Sequence, residues 1–234
     1  MTAFRSWLFA LLFYAFSGVV ALAILPLLLA PRRWLMAVIA AWSRGLVVLL
    51  RLVCAIRVEF RGLEHLPRGG ALIAAKHQCM FDTMAPLGVF ADACYVLRRE
   101  LLRIPVYGWY ARKTRMIAVD RAGGASALKR MVAEAAQRLG EGRQVVIFPE
   151  GTRTPEPGAP YKPGVAGLYR DLGVPCIPLA TNSGAHWPAH GFTRRPGLIV
   201  YEFLPPIAPG MPRAAFMREL RDRLEGASAA LAAL

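Results

Sequence analysis

A long uncharged apolar run at the start of the chain limits its possible folds more than any other feature. The 25 residues from Ser6 to Ala30 contain no charged side chain. As an α-helix, such a run is about 37 Å long at about 1.5 Å per residue, which exceeds the hydrocarbon core of a bilayer at about 30 Å. A cleaved signal peptide is the alternative, because Ala21-Leu22-Ala23 has the small-x-small pattern of a cleavage site. The apolar run continues beyond that pattern to Leu29, which favours a retained membrane segment.

A second apolar segment follows, from Trp34 to Cys54. Pro26 and Pro31 flank the end of the first run, and prolines at such positions are typical of a chain reversal. The pattern predicts an N-terminal membrane-embedded helical hairpin over residues 1–54, with a single straight span as the alternative. In the hairpin, the second helix lies at the membrane interface and its arginines reach lipid phosphates. These arginines are Arg32, Arg33, Arg44 and Arg51.

The charge balance indicates anionic partners. Lys and Arg number 29 against 15 Asp and Glu, which gives a formal net charge of +14. Because 56% of the residues are apolar and only 19% are charged, the composition excludes a disordered chain. The positive surplus suits an anionic membrane surface, a nucleic acid or an acidic protein. The basic residues do not gather in a recognition helix, so no nucleic-acid partner is predicted. A non-catalytic, membrane-tethered lipid-binding module is the alternative to an enzyme.

The cysteines carry no metal or redox signal. Cys54, Cys79, Cys94 and Cys176 lie far apart, without a C-x-x-C pair or a histidine at zinc-ligand spacing. The cysteine spacing therefore predicts neither a metal site nor a redox motif. Unpaired thiols are typical of a reducing compartment, which favours a cytosolic position for the folded part of the chain.

After Arg57 the sequence changes to short β-rich runs that alternate with amphipathic stretches. The alternation predicts an α/β domain over residues 55–234, with a central mixed, mostly parallel sheet flanked by helices. The predicted strands are Ala55–Phe60, Ala71–Ala75, Ala93–Leu97, Met116–Val119, Gln144–Phe148, Pro175–Ala180 and Leu198–Phe203. The predicted helices are Phe81–Phe90, Glu100–Arg112, Ser126–Leu139, Gly164–Leu172 and Arg213 to about Leu224.

A histidine and an aspartate follow the second predicted strand. In the segment KHQCMFDT, His77 comes after the strand and Asp82 lies five residues later. A turn can fold the carboxylate back onto one imidazole nitrogen, which leaves the other nitrogen to act as a general base. A helix-capping or core role for the two residues is the alternative, because short spacings of this kind also arise by chance.

A second polar segment, FPEGTRT, follows the most strand-like run of the chain. Gly151 permits a close approach of the backbone to a ligand, while Thr152 and Arg153 offer a hydroxyl and a forked cation, a set that suits a phosphate. Glu150 needs a donor of its own or must orient the arginine. A β-turn with a solvated salt bridge is the alternative.

Two further cations lie at predicted element ends. Arg121 follows the strand in MIAVDR, and α/β sheets usually bind ligands at the carboxyl ends of their strands. Lys162 precedes a helix that starts at Gly164, and a helix N-terminus can bind an anion. Basic residues at several strand ends beside a His-Asp pair predict an anion site there.

These segments together resemble the membrane-bound glycerolipid acyltransferases with an H-x4-D motif, and among them the bacterial 1-acyl-sn-glycerol-3-phosphate acyltransferases. The resemblance covers most of residues 55–205. Four blocks carry it in the family's order: His77 and Asp82 as H-x4-D, Arg121 at the end of the second block, Phe148 to Arg153 as F-P-E-G-T-R, and Val174 to Pro178 as V-P-C-I-P.

The resemblance implies an enzyme that moves a fatty acyl group from a thioester, acyl-CoA or acyl-carrier protein, to the sn-2 hydroxyl of lysophosphatidic acid. The product is phosphatidic acid for phospholipid synthesis, and the reaction needs no cofactor. Residues 55–234 are then the acyltransferase catalytic domain. The implied location is the bacterial cytoplasmic (inner) membrane, with the catalytic domain facing the cytosol.

The resemblance also implies roles for the residues of the four blocks. His77 takes the proton of the attacking hydroxyl, and Asp82 fixes the imidazole and stabilises the imidazolium that forms. The residues implied for the acceptor phosphate and its pocket are Arg121, Glu150, Gly151, Thr152, Arg153 and Lys162. An acyl-cysteine intermediate on Cys79 is the alternative to direct attack.

Three positions depart from the family's pattern. Lys76 stands where many members have Asn, Phe81 where close bacterial relatives often have Trp or a polar residue, and Arg115 where the second block usually opens with Gly. None of them removes a catalytic group. The last position bears on how the acceptor lies, so another lysolipid, a lyso-aminolipid or a different lysophospholipid, is the alternative acceptor.

Overall fold

The computed structural model describes residues 1–156 and 159–234, and within them it contains seven α-helices and seven β-strands. The helices are α1 (Thr2–Ala23), α2 (Arg32–Cys54), α3 (Tyr107–Lys113), α4 (Gly124–Gly140), α5 (Gly164–Leu172), α6 (Ser183–His186) and α7 (Arg213–Ala232). The strands are β1 (Ile56–Arg61), β2 (Ala71–Ala75), β3 (Ala93–Arg98), β4 (Ile117–Val119), β5 (Gln144–Ile147), β6 (Cys176–Thr181) and β7 (Gly197–Phe203).

The strands form one mixed sheet in the order β1-β7-β6-β2-β5-β3-β4. Every pair is parallel except β6 with β7, which confirms the predicted mostly parallel α/β fold. Every residue of β2, β5 and β6 is buried. Strands covered on both faces read as continuous apolar runs, which is why the sequence pattern located these three well.

The register of the two central strands brings two of the sequence motifs together. Ala74 of β2 pairs with Ile147 of β5 in parallel register. His77 and Glu150 each follow three residues later, so they leave the sheet at the same height and at the same edge. The carboxyl edge of the sheet therefore carries both motifs, as the strand assignment predicted.

An apolar core lies on each face of the sheet. One core combines inward side chains of the sheet with buried residues of α1 and α2, among them Phe9, Phe13 and Leu50. The other combines the opposite sheet face with α4, α5 and α7 and includes Phe216 and Leu220. Helices α1 and α2 thus pack directly onto the sheet and share its core.

The predicted hairpin is present at the N-terminus. Helices α1 and α2 run antiparallel, since the Cys54 thiol contacts the Arg5 carbonyl and the Trp42 indole N–H donates to the Ser17 hydroxyl at 3.2 Å. Both helices are long and apolar enough to cross a membrane. Within the most apolar segment of each helix, only 17% is buried inside the protein in α1 and 22% in α2. Large apolar side chains such as Trp7 therefore face outward from the protein.

The expectation that all four hairpin arginines reach lipid phosphates is wrong for Arg32. Its guanidinium donates two hydrogen bonds to the Asp92 carboxylate, at 2.6 and 2.7 Å. Arg44 also contacts the rest of the chain and donates one N–H to the Gly88 carbonyl at 3.1 Å. Arg33 and Arg51 are exposed. The hairpin is therefore fastened to the rest of the chain by charge as well as by apolar packing.

Two predicted helices differ from the structure because proline interrupts them. The segment predicted as a helix over Phe81–Phe90 forms two short 3-10 helices, Met80–Thr83 and Ala85–Gly88, with Pro86 in the first turn of the second. Proline has no N–H to donate to the carbonyl four residues earlier. Pro105 similarly separates a 3-10 helix from α3 in the region predicted as one helix. The last helix is longer than predicted and continues to Ala232.

Candidate active site

The turn after β2 places the His77 ring against the Asp82 carboxylate. Imidazole Nδ1 lies 3.3 Å from Asp82 Oδ2. Asp82 belongs to the 3-10 helix that follows the turn, and this short helix brings the carboxylate back toward the strand end. With Nδ1 facing the carboxylate, Nε2 is the ring nitrogen left to accept a proton. The structure thus brings together the two residues that the sequence singled out.

The Asp82 carboxylate is only 2% exposed and is surrounded by hydrogen-bond donors. Its Oδ2 accepts the backbone N–H groups of Gln78 at 2.6 Å and Cys79 at 2.7 Å. Its Oδ1 accepts the hydroxyls of Ser183 at 2.5 Å and Tyr201 at 3.0 Å. A buried carboxylate is held in one orientation by such a set, so the imidazole partner faces a fixed acceptor.

Sequence reasoning missed Ser183 and Tyr201 as partners of Asp82. Both are more than 100 residues away along the chain. They reach the carboxylate because Thr181 pairs with Tyr201 in the antiparallel β6–β7 ladder, and Ser183 lies two residues after the end of β6. Burial raises the pKa of Tyr201 well above its ordinary value, and the nearby Asp82 charge raises it further. Tyr201 therefore stays protonated and acts as a hydrogen-bond donor.

The His77 ring is held from a second direction by the FPEGTR segment. It stacks on the Phe148 ring with centroids 4.1 Å apart and planes 25° apart. The His77 side chain keeps 15% of its surface exposed. Stacking on one face and a carboxylate at Nδ1 leave the imidazole little freedom to rotate.

Glu150 links the two motifs directly. Its carboxylate is buried, with 4% of the residue exposed. Oε2 accepts the backbone N–H of His77 at 2.9 Å, and Oε1 accepts the Lys76 ammonium at 2.5 Å. The donor that this glutamate requires comes from the first motif. The alternative of a solvated salt bridge does not describe it, because both Glu150 and the Lys76 side chain, which is 10% exposed, are largely shielded from water.

Gly151, Arg121 and Lys162 form a compact group beside Glu150. The Arg121 guanidinium donates to the Gly151 carbonyl at 2.8 Å, and the Lys162 backbone N–H donates to the Pro149 carbonyl at 2.7 Å. Gly151 has φ +69°, and a Cβ there would lie 3.2 Å from Lys162 Cγ. The turn thus needs a glycine for its backbone conformation, and it brings two exposed cations together.

A cleft of about 640 Å³ opens over this group. Its lining includes Lys76, Arg121, Glu150, Gly151, Thr152 and Lys162, and also Arg98 and Arg221, which sequence reasoning missed. Arg98 is the last residue of β3 and lies at the same sheet edge, so the strand assignment could have identified it. Arg221 comes from α7, whose packing no sequence pattern indicated. Partial burial lowers the pKa of Arg121, and the neighbouring Arg98 charge lowers it further.

Arg153 is the one predicted phosphate residue that lies apart from this lining within the part of the chain that the structure describes. It is exposed on the same turn as Gly151 and Thr152. Its role stays a prediction.

The Cys79 thiol is fully buried behind the aspartate. It lies 3.6 Å from Asp82 Oδ1 and 3.4 Å from the Ser183 hydroxyl. Burial, followed by the negative charge of Asp82, raises the pKa of this thiol well above its ordinary value. A protonated, inaccessible thiol is a poor nucleophile, so the geometry favours direct attack over an acyl-cysteine intermediate.

One family model and several known proteins are similar to this chain. The model described as Acyltransferase matches residues 57–182. A 1-acyl-sn-glycerol-3-phosphate acyltransferase of Pseudomonas aeruginosa is 37% identical over 95% of this chain and 88% of its own length. A lyso-ornithine lipid O-acyltransferase of the same organism is 34% identical over 45% of this chain and 40% of its own length. The crystal structure of the 1-acyl-sn-glycerophosphate acyltransferase from Thermotoga maritima has the same fold, with a TM-score of 0.82 and 22% identity over 100% of this chain and 99% of that one.

Proposed function

The chain belongs to the acyltransferase family, and we propose that it transfers a fatty acyl group from an acyl thioester to the sn-2 hydroxyl of lysophosphatidic acid, giving phosphatidic acid. The observation that carries the proposal is the arrangement at the carboxyl edge of the sheet. There, a His-Asp pair lies next to a cleft with several cations, and Glu150 connects the two. A base for a hydroxyl and a site for its phosphate are the two features that this acceptor needs.

The proposed chemistry is a direct displacement at the thioester carbonyl. His77 Nε2 removes the proton as the sn-2 oxygen forms its bond to the carbonyl carbon. The carbon–sulfur bond then breaks, and the imidazolium returns the proton to the leaving thiolate. Asp82 stabilises the imidazolium in between. A positioned base contributes roughly 10² to 10⁴ in rate, and alignment of two bound substrates contributes more.

The cleft is proposed to hold the acceptor phosphate. Arg121 and Lys162 border Gly151, which lies in the cleft lining, so a phosphate there could approach its backbone closely. Thr152 and Glu150 complete the cleft lining from the same segment, and Arg153, exposed on the same turn outside that lining, is also proposed to contact the phosphate. Arginine binds phosphate oxygens through paired N–H groups, so an anionic headgroup is favoured over a neutral one.

The hairpin of residues 1–54 is proposed to hold the enzyme on the bacterial cytoplasmic membrane, with residues 55–234 as the catalytic domain on the cytosolic side. Outward apolar side chains on α1 and α2 support membrane association. The cytosolic side is proposed because acyl-CoA and acyl-carrier protein are both soluble there. The lysolipid then reaches the site from the membrane surface without leaving it.

A second acceptor class has one observation in its favour, which is the similarity to a lyso-ornithine lipid acyltransferase over part of the chain. The headgroup of a lyso-ornithine lipid carries an amine and a carboxylate in place of a phosphate. The cations of the cleft suit a phosphate better, which makes lysophosphatidic acid the preferred acceptor.

The test is an acceptor and donor panel with purified protein. Lysophosphatidic acid, lysophosphatidylcholine and lyso-ornithine lipid are each incubated with acyl-CoA and with acyl-carrier-protein thioesters, and the lipid products are identified by mass. We expect phosphatidic acid with the new chain at sn-2 as the main product. Preferred acylation of either other acceptor, or no acyl transfer to any of them, would contradict the proposal.

A further inference from the structure

Lys76 lies between two carboxylates that come from distant parts of the chain. Its ammonium donates to Glu150 Oε1 at 2.5 Å and to both oxygens of Glu225, at 2.7 and 2.8 Å. Glu150 follows β5, whereas Glu225 belongs to α7, 149 residues after Lys76. All three donors of the ammonium are therefore occupied. The cluster joins the C-terminal helix to the residue directly before His77.

The buried carboxylate of Glu150 depends on the Lys76 ammonium for a paired charge, and the ammonium depends on Glu225 for its position. Glu150 is 4% exposed, and Lys76 is its one cationic partner among residues 1–156 and 159–234. An ionised carboxylate at such a site needs a paired charge, because desolvation is otherwise costly. Lys76 in turn is nearly buried and needs a fixed position to reach Glu150. Glu225 supplies that position through its two contacts with the same ammonium.

Glu225 is half-exposed, with 46% of its side chain accessible, and a second hydrogen bond holds its carboxylate in place. The Tyr161 hydroxyl donates to its Oε1 at 2.9 Å. The opposite face of α7 is buried in the core through Leu220, Leu224 and Leu231. Burial alone would raise the pKa of Glu225, but the hydrogen bonds from Lys76 and Tyr161 outweigh it and lower that pKa, so the carboxylate is ionised at neutral pH.

We propose that Glu225 is a positioning residue for the catalytic base. It holds Lys76, Lys76 holds Glu150, and Glu150 accepts the backbone N–H of His77, which sets where the imidazole leaves the main chain. Helix α7 thereby fixes one end of the His77 loop while Asp82 fixes the ring. The proposal rests on the proposed function of His77 as the base, and no contact between Glu225 and substrate is required.

The experiment compares Glu225→Gln with Glu219→Gln in the full chain. Glu219 is a matched control, because it lies on the same helix and pairs only with Arg223 one turn away among the described residues. We expect Glu225→Gln to lower kcat by about tenfold and to change the KM for each substrate by less than about twofold. Glu225 and Lys76 also line the cleft, but the substitution leaves Arg121 and Lys162, the cations proposed to bind the phosphate, in place. The control should keep the kcat of the unaltered protein.

A double variant tests the order of the contacts. Lys76→Met removes the paired charge of Glu150, so it should lower kcat at least as much as Glu225→Gln. Because both changes act through Lys76, adding Glu225→Gln to Lys76→Met should cost little more. An unchanged kcat in Glu225→Gln, a higher KM for lysophosphatidic acid with unchanged kcat, or additive losses in the double variant would each overturn the proposal.

A substrate-free measurement separates this proposal from the proposed function. The rate at which diethyl pyrocarbonate modifies His77 is followed by peptide mapping in the absence of lipid and thioester. Loosening of the loop should make His77 react severalfold faster in Glu225→Gln than in the control. Equal rates would overturn the positioning role. If the unaltered protein fails to acylate lysophosphatidic acid, the proposed function fails while this readout still decides the positioning role.

Discussion

The carboxylate of Asp82 can be neutralised with little change of shape by Asp82→Asn. The amide oxygen can take the place of Oδ2 and still accept the N–H groups of Gln78 and Cys79. The amide nitrogen then faces Ser183 and Tyr201, whose hydroxyls can rotate to accept from it. The substitution therefore removes the charge and keeps the hydrogen bonds, so the protein should fold normally.

The size of the effect follows from the distance between the two groups. Nδ1 of His77 lies 3.3 Å from Oδ2, and two unit charges at that separation attract by about 5 kcal/mol at an effective dielectric constant of about 20. In the proposed mechanism this stabilisation acts once the imidazole has taken the proton of the hydroxyl, so it lowers the energy of the transition state. Its loss should lower kcat by roughly 10³ to 10⁴.

The assay measures kcat with saturating lysophosphatidic acid and acyl thioester, beside the thermal unfolding of each variant. Asp222→Asn is the matched control, since Asp222 is exposed on α7. Asp82→Ala should differ from Asp82→Asn by unfolding more easily, because it leaves buried donors unpaired at about 1 to 3 kcal/mol each. A kcat for Asp82→Asn within tenfold of the unaltered protein would refute the role of the carboxylate charge.

Three further predictions concern the thiol, the phosphate site and the hairpin. Cys79→Ser should remain active, because the thiol is protonated and buried; trapping of a labelled acyl group on Cys79 would contradict this. Arg121→Ala and Arg153→Ala should each raise the KM for lysophosphatidic acid by roughly tenfold or more and leave the KM for the donor nearly unchanged. The control Arg130→Ala, at an exposed position on α4, should change neither KM. Equal losses with a neutral acceptor would exclude a phosphate contact. Deletion of residues 1–54 should prevent folding rather than release a soluble enzyme, because buried side chains of α1 and α2 contribute about 2 kcal/mol each to the shared core. A monomeric, cooperatively unfolding protein after the deletion would show that the remaining part of the chain folds alone.

The sheet could be predicted from sequence because its strands are buried on both faces. A continuous apolar run as short as Ala71 to Ala75, which directly follows two glycines, is typical of a strand covered on both faces. The strand ends then placed the His77 and Glu150 segments at one edge of the sheet, but the contact between Glu150 and the His77 backbone was not predicted. The short 3-10 helices were not predicted because apolar periodicity over ten residues does not distinguish them from an α-helix, and only the prolines indicate the interruption.

The contacts that support the His77–Asp82 pair could not be predicted in the same way. Tyr201 and Ser183 reach Asp82 through the antiparallel pairing of the last strand, and nothing local in the sequence specifies that pairing. Glu225 depends on where a whole helix packs, which is a property of the folded core. Long-range contacts of this kind follow from the assembled sheet and not from any short motif.

His77 is proposed to be the base for acyl transfer to lysophosphatidic acid, and every role assigned above to Asp82, Glu150 and Glu225 depends on it. The most direct measurement is the single-turnover rate of phosphatidic acid formation by His77→Ala, with a labelled acyl thioester and the purified, membrane-reconstituted protein. The imidazole donates no side-chain hydrogen bond other than that to Asp82 among the residues the structure describes, so the variant should fold and bind both substrates. The rate should be at least about 10³ lower than that of the unaltered protein. A rate within tenfold of the unaltered protein would contradict the proposed role of His77.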